Sequence, residues 1–154
     1  MKLYKIKKSK IDNKGKGLYA TKDIKEGTKI IDYKGKIITN RKVDESDKYD
    51  NGKPIYLFTL NKKYTLDGDF PWNTAGLINH SCDPNSQYDG KGLKIWVTAI
   101  KDIKKGEVFT CDYGFGFDKD YKQFPCKCGA KNCCGYIVRE ESRWQIKKKF
   151  AMTK

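Results

Sequence analysis

The feature that most constrains this chain is a cluster of four cysteines between residues 126 and 134. They follow the pattern Cys126-x-Cys128-x4-Cys133, and Cys134 comes directly after. A Cys-x-Cys spacing suits a disulfide poorly, but it can present two thiolates to one metal ion. The N-terminal residues carry charge without the apolar stretch of a secretory signal, so we expect an intracellular protein with reduced thiols. The pattern therefore predicts a small metal-stabilised element near residue 130.

The composition predicts one folded domain with a basic surface. The chain has 154 residues, and 13% aromatic content argues against disorder although 34% of the residues are charged. We expect no membrane span, because no apolar run approaches about 20 residues. The net charge of +14 rests on 30 lysines and three arginines. It would allow non-specific contact with nucleic acid, but such even lysine enrichment is more typical of a solvated surface.

Alternating short segments and glycine turns predict a mainly β fold. Residues 3–8 alternate like an edge strand, and residues 93–100 give the clearest strand. Two nearly identical turns, at 24–27 and 103–106, each precede a strand, at 28–33 and 107–111. A hairpin is expected over 56–67. Residues 40–50 are polar and form either a helical insert or a mobile loop, whereas residues 139–150 predict a helix.

Three motifs carry chemistry only when they are considered together. They are the segment Gly15-Lys-Gly-Leu-Tyr-Ala20, the segment Asn79-His-Ser-Cys82, and the segment Asp112-Tyr-Gly-Phe115. Alone, the first would be a turn, the second a lone structural histidine, and the third a strand end. In this order, followed by the cysteine cluster, they resemble the SET-domain protein lysine methyltransferases that carry a post-SET zinc element. The resemblance covers about residues 4–138.

The resemblance implies a fold and a domain organisation. The SET fold is mainly β, a β-clip-like arrangement of short curved sheets with a knot-like active-site loop, joined here by a small C-terminal zinc element and helix. We expect the SET domain over residues 1–118, with an insert at about 41–55. The post-SET zinc element would occupy 119–138, and a basic helix or tail would occupy 139–154.

The resemblance also implies site residues, which carry over from matching motifs. S-adenosylmethionine would be bound by Lys16, Gly17, Leu18, Tyr19, Asn79, His80 and Tyr113. The catalytic residues would be Tyr113 and, second, Tyr56. The substrate channel and the number of methyl groups transferred would depend on Tyr88, Cys111 and Phe115. One structural zinc ion would be held by Cys82, Cys126, Cys128 and Cys133, which leaves Cys134 as a free thiol.

Some positions depart from the family pattern. Trp72-Asn73 and Gly76-Leu77 stand where relatives usually have Gly-Asn and Arg-Phe, and Cys111 stands where many have Phe or Tyr. The expected function is methyl transfer from S-adenosylmethionine to a lysine of a histone or histone-like basic tail. We expect it in the nucleus or on chromatin if the source is eukaryotic or the protein acts on a host, and otherwise in the cytoplasm. The departures keep open a non-catalytic SET-like binding module. Without the resemblance, the chain would be a small basic zinc protein that binds nucleic acid.

Overall fold

The structure is a computed structural model that describes residues 2–9, 11, 15–45, 56–115 and 121–146. Within these residues the fold is mainly β, as the sequence predicted. Its strands and its helix are β1 (Tyr4–Lys8), β2 (Lys16–Ala20), β3 (Lys29–Tyr33), β4 (Lys36–Thr39), α1 (Asn40–Glu45), β5 (Leu57–Thr59), β6 (Tyr64–Asp67), β7 (Asn79–His80), β8 (Ser86–Lys91), β9 (Lys94–Ala99) and β10 (Thr110–Cys111). Short 3₁₀ turns lie at Thr74–Leu77, Tyr121–Gln123 and Glu140–Ser142.

The described strands form four small sheets. β1 and β2 are antiparallel, β9 lies between β3 and β8, and β6 lies between β4 and β5. The fourth sheet is the parallel pair of β7 and β10. The predicted hairpin over 56–67 is confirmed, because Phe58 on β5 lies opposite Leu66 on β6.

Alternation along the strands directs apolar side chains into one core. On β9 the side chains of Val97 and Ala99 are buried, as the period of two requires. Leu18 and Phe109 are also fully buried in this core. Each such aliphatic or aromatic side chain contributes about 1.5–3 kcal/mol on burial, so these residues fix how the sheets pack around the site.

The two similar turns lie beside each other. Ile24 and Ile103 exchange two backbone hydrogen bonds of 2.7 Å each. Each turn ends at a glycine, Gly27 or Gly106, and both glycines have φ of +90°, which side-chain-bearing residues adopt only with strain. The two similar sequences therefore form the same kind of turn, and the two turns pair with each other through backbone hydrogen bonds.

The C-terminal part forms a second, smaller core. Tyr121, Val138 and Ile146 are buried together, with Cys134 and Tyr136 packed against them. Of the predicted helix over 139–150, the structure describes a 3₁₀ turn followed by α-helical residues 143–146, and the remainder lies outside the described residues. Of the predicted insert, only the part up to α1 is described. In the described part of the chain, no helix has the length and apolar character needed to cross a membrane.

Some element boundaries differ from the prediction. The expected strand at 107–111 is reduced to Thr110–Cys111, and Val108 makes only an isolated bridge to Tyr19. The glycine-rich segment that the sequence marked as a turn continues as β2, because pairing with β1 and burial outweigh the low strand propensity of Gly17.

Candidate active site and metal centre

The parallel pair of β7 and β10 brings two of the sequence motifs side by side. Asn79 lies opposite Thr110, and His80 lies opposite Cys111. The amide of Ser81 continues the pairing by donating a hydrogen bond of 3.1 Å to the carbonyl of Cys111. Because parallel strands need a long crossover connection, segments separated by 31 residues meet here. Backbone pairing therefore sets the position of the side chains that follow each strand.

His80 accepts a hydrogen bond from the backbone of the Asp112–Phe115 motif. The amide of Tyr113 donates to Nδ1 of His80 at 3.0 Å, and the two rings meet edge to face at 5.2 Å. Burial lowers the pKa of His80 to about 4, against the opposing effect of the Asp112 carboxylate. The neutral ring with its proton on Nε2 is the form compatible with this bond. His80 therefore orients the backbone of Tyr113.

Tyr113 is held at both ends of its side chain. Its hydroxyl donates a hydrogen bond to the carbonyl of Ile78, and its ring contacts Phe115 at 5.8 Å between centroids. Burial raises the pKa of Tyr113 well above its usual range, and neighbouring Tyr56 raises it further. The hydroxyl thus stays protonated at alkaline pH, with lone pairs available to accept a hydrogen bond from a substrate.

Aromatic rings crowd beside Tyr113. Phe58 lies 4.8 Å from Tyr33 and 4.8 Å from Tyr88, measured between ring centroids. Tyr88 is hydrogen-bonded to the thiol of Cys111, and burial raises the pKa of both groups. The small Cys111 side chain thus adjoins the Tyr88 hydroxyl, at the point where the sequence predicted control of product multiplicity.

Tyr56 lies at the edge of this aromatic cluster. Its carbonyl accepts hydrogen bonds from the Tyr33 hydroxyl at 3.0 Å and the Gly68 amide at 2.9 Å. Burial raises the pKa of Tyr56, and the carboxylate of Asp69 raises it further. Three predicted site residues therefore lie close to Tyr113, namely Tyr56, Tyr88 and Cys111. The carboxylate of Asp69 places a negative charge near Tyr56.

A pocket of about 310 Å³ joins the two motifs to the cysteine-rich segment. Asn79, His80 and Tyr113 line it on one side, and Cys126, Lys127 and their neighbours line it on the other. Nδ2 of Asn79 is buried and has no hydrogen-bond acceptor among the described residues. A Cβ built on Gly17 would stand only 2.8 Å from this same nitrogen. Without a Cβ, Gly17 thus lets the Asn79 amide pack against β2, and its nitrogen is a buried donor that a polar ligand could satisfy.

The other predicted cofactor residues lie outside this pocket. The side chains of Leu18 and Tyr19 are in the interior, and the Tyr19 hydroxyl donates to the carbonyl of Lys8 at 2.9 Å. Lys16 is exposed at the start of β2. Among the described residues, none of these three side chains lines the pocket, so their backbone groups are the candidates for ligand contact.

Four cysteine thiols meet beside the pocket. The sulfur atoms of Cys82, Cys126, Cys128 and Cys133 all lie within 4.8 Å of one another. Those of Cys82 and Cys126 are 3.9 Å apart. A tetrahedral zinc site with Zn–S bonds of about 2.3 Å requires sulfur atoms about 3.8 Å apart, so the cluster could hold one zinc ion. Cys134 instead points towards the carbonyl of Tyr136, at 3.2 Å.

A buried arginine that no sequence motif indicated lies next to these groups. Arg143 has only 8% of its side chain exposed and forms an ion pair of 3.0 Å with Asp112. It also donates to the carbonyl of Cys82 at 2.8 Å. The sequence held one indication of this residue's importance. Arginine is rare in a chain with 30 lysines, and buried ion pairs favour arginine over lysine.

Comparison with known proteins agrees with this arrangement. The family model "SET domain" matches residues 15–114. The chain therefore belongs to the SET domain family, which confirms the resemblance found in the motifs.

Among its relatives, human "Histone-lysine N-methyltransferase 2D" is 38% identical over 125 residues, or 77% of this chain. "Histone-lysine N-methyltransferase trithorax" of Drosophila virilis is 37% identical over 80% of the chain. "Putative histone-lysine N-methyltransferase 1" of Plasmodium falciparum is 36% identical over 88%. The matched regions are only 2%, 3% and 2% of these relatives' lengths.

Proposed function

We propose that this protein transfers a methyl group from S-adenosylmethionine to the side-chain amine of a lysine in a protein substrate. The observation that carries the proposal is the convergence of Asn79, His80 and Tyr113 on one pocket, next to a cluster of aromatic rings. Membership of the SET domain family supports it.

The residues around the pocket fit the expected methyl donor. When bound, S-adenosylmethionine supplies an electrophilic methyl group on a cationic sulfur. The Nδ2 of Asn79, which has no acceptor among the described residues, would donate to a polar group of this cofactor. The backbone around His80, and backbone groups near Lys16 and Leu18, would provide further contacts. The side of the pocket formed by Cys126 and Lys127 would cover the cofactor and exclude water.

Tyr113 would orient the lysine amine. Its hydroxyl proton is engaged with the Ile78 carbonyl, so its oxygen is free to accept a hydrogen bond from the incoming amine. Alignment of the amine with the methyl group accounts for much of the rate in such a displacement. Tyr56 would constrain the amine from the opposite edge of the channel. Tyr88 and Cys111 would then limit how many methyl groups the amine can carry, and Phe115 would form part of the channel wall.

The environment of the channel favours a reactive amine. A lysine side chain has a pKa of about 10.4 in water and is mostly charged at neutral pH. Apolar surroundings and a nearby cationic sulfur both disfavour the ammonium form, so no strong general base is required. Asp69, whose charge raises the pKa of Tyr56, would attract the cationic side chain towards the channel before it loses its proton.

The substrate we propose is a histone or histone-like basic tail. The names of the relatives in three organisms support this choice. The net charge of +14 opposes the approach of a basic tail, so local carboxylates such as Asp69 would have to outweigh it near the channel. Such a substrate would locate the protein in the nucleus or on chromatin, and the same charge would permit weak contact with nucleic acid.

The zinc ion would serve the pocket indirectly. Cys82 lies two residues after His80, whereas Cys126, Cys128 and Cys133 belong to the segment on the other side of the pocket. One ion bound to all four thiolates would tie the two sides together. We therefore assign the metal a structural role, because a closed four-cysteine site leaves no coordination position for a substrate.

A transfer assay with radiolabelled S-adenosylmethionine tests the proposal. Wild-type protein and Tyr113→Phe would be incubated with core histones, histone-tail peptides and no added substrate, with cofactor binding measured by calorimetry. We expect transfer by the wild type and its loss by about 10²-fold or more in the variant. Cofactor binding without transfer on any substrate would favour a binding module. Zinc-loaded protein that neither binds the cofactor nor transfers methyl groups would contradict the proposal.

A further inference from the structure

The carboxylate of Asp112, directly before Tyr113, connects three parts of the molecule. Its Oδ1 accepts a hydrogen bond of 2.9 Å from the amide of Gly114 and lies 3.9 Å from Nδ1 of His80. Its Oδ2 accepts from the amide of Glu140 at 3.1 Å and from Arg143 at 3.0 Å. One oxygen thus holds the turn around Tyr113, and the other holds the segment that follows the cysteine cluster.

Each of the three nitrogens of the Arg143 guanidinium donates to an acceptor, and the three acceptors lie in different parts of the chain. Its Nε donates to the carbonyl of Val138 at 3.0 Å, its Nη1 to the carbonyl of Cys82 at 2.8 Å, and its Nη2 to Asp112. Cys82 is 61 residues away in sequence, and Asp112 is 31 away. The planar fork of arginine can reach such divergent acceptors simultaneously, whereas the ammonium of a lysine cannot.

Burial of the Arg143 and Asp112 charges costs free energy unless their hydrogen-bonding groups are satisfied. Only 8% of the Arg143 side chain and 23% of the Asp112 side chain are exposed. Two charges removed from water to this extent are tolerated only when they are paired and their remaining hydrogen-bonding groups are satisfied. The backbone supports the same docking, because the amide of Arg139 donates to the carbonyl of Phe115 at 2.7 Å. Segment 139–146 is therefore joined to both ends of the Asp112–Phe115 motif.

We propose that Arg143 and Asp112 form a positioning pair that fixes the backbone of Tyr113 against His80. This inference rests on the proposed methyl transfer. Arg143 is not among the described residues that line the pocket. It acts through Asp112, which holds Gly114 on the far side of Tyr113, and through the carbonyl of Cys82, which follows the His80 motif. Loss of the pair would let the Tyr113 hydroxyl move away from its line with the substrate amine.

The test compares three single variants of the full, zinc-loaded chain. Arg143→Met removes the guanidinium, and Arg143→Lys keeps the charge without the fork. Arg139→Met is the matched control, because Arg139 is an exposed arginine of the same segment whose side chain bonds only Ser142 in the described structure. Measurements are kcat and KM on a histone-tail peptide, the Kd for cofactor, zinc content, and hydrogen–deuterium exchange at the amides of Tyr113 and Gly114. The temperature is one at which every variant is folded.

For both Arg143 variants we expect kcat to fall by about 10- to 100-fold, as small misplacements of reacting groups do. Zinc content should be unchanged and the cofactor Kd should change by less than about threefold. Exchange at Tyr113 and Gly114 should accelerate, while amides of β9 keep their wild-type rates. The control should match the wild type in all four measurements.

Three results would overturn the positioning role. The first is a folded Arg143→Met with wild-type kcat and wild-type exchange. The second is full rescue by lysine, which indicates a role in charge balance alone. The third is a loss of cofactor affinity and zinc content in proportion to activity, which indicates a role in folding alone. If the wild type itself transfers no methyl group, the proposed function fails. The exchange rates at Tyr113 and Gly114 then decide alone whether the pair fixes this backbone.

Discussion

Gly17 approaches the amide group of Asn79 so closely that one added methyl group should impair cofactor binding. In Gly17→Ala the new Cβ would stand 2.8 Å from Nδ2 of Asn79, and 3.5 Å from atoms of both Tyr19 and Val108. Unstrained contacts of this kind are about 3.5 Å or longer, so the Asn79 amide must retreat by about 0.7 Å. A hydrogen bond of about 2.9 Å to the cofactor would stretch to about 3.6 Å, beyond a useful length.

The loss of this hydrogen bond can be converted into a change in the affinity for the cofactor. A buried amide left without its partner costs about 1–3 kcal/mol, which corresponds to a rise of about 5- to 150-fold in the Kd for S-adenosylmethionine. Isothermal titration calorimetry on the zinc-loaded protein measures this directly. In an Asn79→Ala background the same glycine substitution should have little further effect, because the clashing group is gone.

Gly90→Ala supplies the matched control. Its Cβ would also meet a neighbour at 2.8 Å, but this neighbour is the terminal methyl of Ile95, which can rotate away. The next contact, with the backbone oxygen of Lys94 at 3.2 Å, requires a shift of only a few tenths of an ångström within the β8–β9 hairpin. We expect wild-type affinity for the cofactor in this variant. A Kd for Gly17→Ala within about twofold of the wild type would refute the assigned role of Asn79.

Three further predictions concern the metal, the pH and the product. Cys82→Ser should abolish stoichiometric zinc binding and lower the melting temperature, as measured by metal analysis and calorimetry, whereas Cys134→Ser should do neither. Because burial raises the pKa values of Tyr88 and Tyr113 above about 10, the free energy of unfolding should hold below that pH and fall above it. Urea unfolding should show a shallower fall in Tyr88→Phe. The same variant should add more methyl groups per lysine by mass spectrometry, and an unchanged product distribution would contradict a limiting role for Tyr88.

Much of the fold could be predicted from the local order of apolar, polar and turn-forming residues. Alternation predicted the strand at 93–100, where Val97 and Ala99 are buried at a period of two. The hairpin over 56–67 followed instead from two short strand-like segments flanking the turn at 61–63. The edges of elements were less predictable. Val108 is a β-branched residue of the kind common in strands, yet it pairs with Tyr19 only as an isolated bridge. Such boundaries depend on which distant segment is available as a partner, and this information is not local.

The parts of the candidate site that lie in sequence motifs could be predicted. The parts that depend on packing between distant segments could not. The cysteine spacing and the three motifs led to the thiol cluster and to the pocket beside Asn79 and Tyr113, whose roles remain proposals. Arg143 lay outside every motif, and its acceptors come from three segments that meet only in the folded chain. The orphan amide of Asn79 likewise depends on the close approach of β2, which no residue spacing encodes.

The parallel pairing of β7 with β10 bears on the order in which the chain folds. The pair joins only two residues from each of two segments 31 residues apart, so its contacts repay little of the entropy lost on closing that loop. The β8–β9 hairpin, which turns between Lys91 and Lys94, lies inside the loop and can form beforehand from local contacts. During refolding, β-sheet signal should therefore return before the proposed cofactor site, and the contact between His80 and Tyr113 should be the last feature gained and the first one lost.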